Sequence, residues 1–130
     1  MIGVDTNVLV RHIMQDDPAQ ARAATGFLAS LTQSEPGHVS AVVLAELAWV
    51  LSYTYGASRA ELVNAMDALL ASDALVVERA DCAHRAIAQC KAGADFADAL
   101  IVAIDVAEGC SETVTFDKDA AKRSGMRLLT

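Results

Sequence analysis

Short apolar runs alternate with helix-like stretches along the whole chain, and this alternation restricts the fold more than any other feature. The runs Ile2–Asp5, His38–Ser40, Leu75–Val77, Thr113–Thr115 and Arg127–Leu129 have the length of strands. Helix punctuation lies between them. Asp17-Pro18 supplies an N-cap residue followed by proline at the first helical position, opening a helix to about Leu31. Ser40 opens another, to about Tyr53, and Ser58 with Glu61 forms a capping-box pattern for a third, to about Ser72. Further helices are predicted over Asn7–Met14, Asp81–Lys91, Asp95–Glu108 and Lys118–Ser124. Strands alternating with helices predict an α/β fold with a mainly parallel central sheet and helices on both faces. At 130 residues the expectation is one domain spanning residues 1–130.

Four acids interrupt this pattern. Asp5 ends the first apolar run, and Asp117 closes TVTFD. Glu46 has Val42, Val43, Trp49 and Val50 as its helical neighbours, which predicts a buried or cleft-facing carboxylate. Asp98 opens an apolar helix beside Ile101 and Val102. In parallel sheets, ligands gather outside the carboxyl ends of the strands, so one crevice is expected to hold all four. Each acid also has a plain structural reading. Asp5 and Asp117 can cap the helices that follow them, and Asp95 with Asp98 resembles a capping box.

Other residues narrow the chemistry. His12, His38 and His84 make no zinc spacing with Cys82, Cys90 and Cys110, and the cysteines are expected to be reduced and buried in a cytoplasmic protein. No stretch is long and apolar enough to span a bilayer, and no export signal stands out. Trp49 is expected to be a core or groove residue. Aromatics make up only 5%, which argues against a stacking platform for single-stranded nucleic acid. The net charge of −7 weakens a nucleic-acid reading, although divalent cations held by the acids would offset part of it.

Oxygen-only donors select hard ions, Mg²⁺ or Mn²⁺. Such ions activate water and neutralise charge on a phosphodiester, so no side-chain nucleophile is required. Thr6 and Thr115, each near a marked acid, suit a supporting role in orienting ligands or water.

The segments VDTNVLV, AELAWVL, ADFADALIVA and TFDKDAAKRSG, in this order and spacing, resemble the PIN-domain ribonucleases, specifically the VapC-type toxins of bacterial toxin–antitoxin pairs. The resemblance covers essentially the full length. It implies a three-layer sandwich, with Asp5, Glu46, Asp98 and Asp117 as the catalytic acids. Asp5 and Asp98 would be direct metal ligands, joined by Glu46 and Asp117, with Thr6, Asn7, Asp95 and Thr115 in support. It further implies RNA cleavage leaving a 5′-phosphate, frequent homodimerisation, and a small cognate antitoxin with an inhibitory tail. Basic residues near these motifs are few (Arg11, His12, Lys118, Lys122 and Arg123), and Arg11, Lys118, Lys122 and Arg123 are the expected contacts to RNA or antitoxin. Two rival readings remain. A haloacid-dehalogenase-like phosphatase would use Asp5 as nucleophile, but Asn7 stands where its general acid would be Asp. A non-catalytic module would use the acids to hold a basic peptide.

Overall fold

A computed structural model describes all residues, Met1–Thr130. The chain forms two compact units, Met1–Glu78 and Arg79–Thr130.

The first unit is built on a parallel sheet of strands β1 (Ile2–Gly3), β2 (Gly37–Val39) and β3 (Leu75–Val77), in that order. Helices α1 (Thr6–Met14) and α2 (Pro18–Ser30) connect β1 to β2, and α3 (Ala41–Trp49) and α4 (Arg59–Ala71) connect β2 to β3. The predicted caps are in place. Asp17 accepts from Gln20 N at 3.1 Å, Ser40 Oγ accepts from Val43 N at 3.2 Å, and Ser58 and Glu61 form a reciprocal capping box. Leu9, Val39, Leu47 and Met66 anchor the core of this unit. Gly37 is needed where β2 enters it. A Cβ there would lie 2.8 Å from Leu31 Cδ1 and 3.0 Å from both Leu75 Cδ2 and Val4 Cγ2.

Three expectations for this unit need correction. The first strand is shorter than Ile2–Asp5: the ladder ends at Gly3, Ile2 is 47% exposed, and Val4 is the residue that packs inward. The second strand is shifted by one residue, because Ser40 serves as a cap and not as a strand residue. α3 also passes into a π-helical turn, Val50–Thr54, closed by Tyr55 N donating to Val50 O at 3.2 Å.

In the second unit, α5 (Ala80–Lys91) and α6 (Phe96–Ala107) pack together, followed by β4 (Val114–Thr115), α7 (Lys118–Ser124) and β5 (Arg127–Leu128). The buried residues Cys82, Ala83, Ala86, Cys90, Ala99 and Ala103 are small, which lets α5 and α6 approach closely around Phe96. Strands β4 and β5 pair in parallel, so every strand pair in the protein is parallel. Cys82 and Cys90 are buried free thiols, but Cys110 is exposed because it lies beyond the end of α6. No helix is long and apolar enough to cross a membrane.

Candidate active site

In the first unit, Asp5 lies two residues beyond β1 and caps α1, its Oδ1 accepting from Thr6 N at 2.8 Å. That bond leaves Oδ2 outside the cap. Thr6 is 5% exposed and is the buried polar residue of the protein. Its hydroxyl donates to Glu46 Oε1, tying the start of α1 to the middle of α3. Asn7 is exposed on the first turn of α1.

Of the two states expected for Glu46, buried or cleft-facing, burial is not the one found. Glu46 is exposed, as are Val42 at 75%, Trp49 at 58% and Tyr53 at 70%. α3 and its π turn bury Leu44, Leu47, Ala48 and Leu51, a complete inward stripe, so the remaining apolar residues are left on the outer face with Glu46. Trp49 is therefore not a core residue. Its ring lies 5.4 Å from that of Tyr53, so the few aromatics do form an exposed pair.

Arg11 points into a network at the far end of α1. Its Nε donates to Gln20 Oε1 at 2.6 Å, and its Nη1 reaches Tyr55 Oη at 3.3 Å and Asp16 Oδ1 at 3.4 Å. The Tyr55 hydroxyl, 2.8 Å from Asp16, is the main reason the Asp16 carboxyl sits below its ordinary range. His12 Nδ1 is 2.8 Å from Thr25 Oγ1.

The second unit gathers more acids. Asp95 caps α6, its Oδ2 accepting from Asp98 N at 3.0 Å, and Asp98 occupies the first turn. Asp117 lies two residues beyond β4 and caps α7, its Oδ1 accepting from Asp119 N at 2.8 Å and Ala120 N at 3.1 Å. The Asp117 N–H donates to Thr115 Oγ1 at 3.0 Å, which fixes the cap on the end of the strand. Capping and ligand binding are therefore compatible at Asp5 and Asp117, since each cap occupies one carboxylate oxygen.

The Asp98 carboxyl is held above the ordinary aspartate range, first by burial and then by the negative charges of Asp95, Asp117 and Asp119. Asp119 was missed by the sequence reading. The signal was its place two residues after Asp117, where a first-turn acid suits the helix N-terminus. Asp119 Oδ1 accepts from Arg123 Nε at 2.8 Å, while Lys118 and Lys122 are exposed.

In neither unit do three or more His, Cys, Asp or Glu side chains close around a common point. The donor chemistry nevertheless fits a hard divalent cation. The ligands available are carboxylate oxygens, and the mutual repulsion acting on Asp98 is the kind that such an ion relieves.

A family model described as the PIN domain matches residues 2–125, extending across both units. No curated protein matches the chain significantly. PIN domains are typically metal-dependent nucleases, a chemistry suited to oxygen-only donors. With a match over nearly its whole length and an α/β fold of parallel strands, this chain belongs to the PIN-domain family.

Proposed function

We propose that the protein is a Mg²⁺- or Mn²⁺-dependent endoribonuclease and the toxin of a VapBC-like type II toxin–antitoxin pair, acting in the cytoplasm. The observation that carries this reading is the environment of Asp98, whose carboxyl is raised by burial and by three neighbouring acids. A site of that kind gains most from a bound divalent cation. Asp5 and Asp98 would serve as metal ligands, with Glu46 and Asp117 as further ones. When bound, the ion supplies an activated water near neutral pH and offsets charge on the scissile phosphate.

The chain's own residues do the positioning. Thr6 fixes Glu46 through its hydroxyl, and Thr115 fixes the backbone of Asp117. Asp95 holds the first turn of α6 so that Asp98 starts from a rigid backbone. Asn7 completes the supporting set on α1. Lys118 and Lys122 are exposed cations on α7, the helix that Asp117 caps, and suit contact with RNA phosphates. An inhibitory antitoxin tail would be basic, since a guanidinium can pair with the carboxylates that otherwise hold metal. A homodimer would enlarge the RNA surface of a chain whose net charge is −7.

The test is cleavage of purified RNA with and without Mg²⁺ or Mn²⁺, alongside Asp5→Asn and Asp98→Asn. Cleavage should require the metal and stop in both variants, leaving 5′-phosphate ends. Metal-independent cleavage, or unchanged activity in Asp98→Asn, would overturn the mechanism. A covalent phosphoryl adduct on Asp5 would instead place the protein among the phosphatases.

A further inference from the structure

The second unit contains a cavity of about 300 Å³ walled by α5, α6 and α7, and none of its lining residues is an acid. That is unusual surroundings in a protein of net charge −7. One side of the cavity is apolar, formed by Val102, Ala103 and Val106 of α6. The other side offers donors: Arg85 and Gln89 from α5, and Arg123 and Ser124 from α7.

Two details set this cavity apart from a solvated groove. The Ser124 hydroxyl is closed off from solvent and has no hydrogen-bond partner, an expensive state that a rotation of the side chain toward a guest would relieve. Each arginine is also held through one nitrogen only. Arg123 gives Nε to Asp119 at 2.8 Å, and Arg85 Nη2 lies in an ion pair 3.5 Å from Asp81 and donates to Cys82 Sγ at 3.5 Å. The remaining guanidinium donors stay available.

We propose that this cavity binds a small organic phosphate, a monoester whose uncharged body rests on α6. The open Nη1–Nη2 fork of Arg123, the remaining donors of Arg85, an amide and a hydroxyl supply more donors than the two oxygens of a carboxylate need, and they suit the three terminal oxygens of a phosphate. The apolar wall of α6 offers no hydrogen bonds, so it suits a ring or hydrocarbon and not a second charge. The volume lies at the small end of ligand pockets, about that of a mononucleotide. The proposal is independent of the nuclease reading, because none of the four marked acids lines the cavity.

The test is amide-resolved NMR titration of the full chain in EDTA, with AMP, adenosine and inorganic phosphate as separate probes. AMP should produce saturable shifts at Val102, Val106, Ser124 and Gly125. Adenosine and inorganic phosphate should each bind at least roughly tenfold more weakly, the equivalent of about one charge-assisted contact or one buried ring face. Arg85→Gln/Arg123→Gln should abolish the shifts. Arg123→Lys, which keeps the charge but loses the fork, should weaken them, and Ser124→Ala should weaken them less. The proposal is overturned if millimolar AMP gives no saturable shift, if the shifts survive the double variant, or if they centre on Asp5 or Asp98. Concentration-dependent shifts at the same amides without any probe would assign the face to a second copy of the chain and also overturn it.

Discussion

Thr6→Val and Thr6→Ser separate what the Thr6 side chain does for folding from what it does for Glu46. Thr6 is almost fully buried and donates its hydroxyl to the Glu46 carboxylate. Valine keeps the volume and removes the donor. A hydrogen bond to a charged group contributes about 1.5–3 kcal/mol, but exposed Glu46 can recruit water, so the net loss should fall to about 1 kcal/mol. Serine keeps the donor and removes one buried methyl, which also costs about 1 kcal/mol. With a urea m-value of about 1.5 kcal/mol/M, each variant should lower the unfolding midpoint by about 0.7 M with unchanged slope. Their activities should diverge. Thr6→Val leaves Glu46 without its tether and should lose at least roughly tenfold in the rate of Mg²⁺-dependent RNA cleavage. Thr6→Ser should remain within about threefold of the parent. Wild-type cleavage by Thr6→Val, or equal losses in both variants, would refute the idea that this hydroxyl positions the acid.

Asp98→Asn should stabilise the protein in EDTA near neutral pH while ending catalysis. The folded-state pKa of Asp98 is raised above 3.8, so its contribution to stability is fully present below that value and is lost as pH rises through the raised one. Thermal melts should therefore show the variant ahead at pH 7 and level with the parent at pH 3; a pH-independent difference would contradict this. Ser58→Ala removes the cap of α4 and should cost about 1 kcal/mol by urea denaturation with RNA cleavage unchanged. Phe96→Ala empties one of the largest fully buried positions, directly at the start of α6, and should cost about 3–5 kcal/mol. A loss below about 1 kcal/mol would show that the α5–α6 packing does not depend on this ring.

Helix boundaries were legible in the sequence because they are set locally. Asp17-Pro18, Ser40 and Ser58 with Glu61 act within a few residues of themselves, and each opens a helix where expected. The location of the acids relative to strand ends was readable for the same reason. Choices that depend on distant partners were not. α3 has more apolar residues than it can bury, and only the packing against the rest of the unit selects the Leu44–Leu47–Leu51 stripe over Val42 and Trp49. The partner of the Thr6 hydroxyl lies forty residues away on another helix. The π turn at Val50–Thr54 carries no proline or glycine to announce it. Asp119 acts on Asp98 through space, from a different helix.

The exposed face of α3 has an optical consequence. The chain contains a single tryptophan, and it stands three residues after Glu46 on the outward side of the helix. Its fluorescence therefore arises from one indole in contact with water, with the Tyr53 ring close enough to pass excitation to it. A cation, an RNA or a protein segment arriving at Glu46 alters the solvent around this indole, shifting or quenching its emission. The protein thus carries its own unlabelled reporter for events at the first unit's acids, readable in real time and in the native chain.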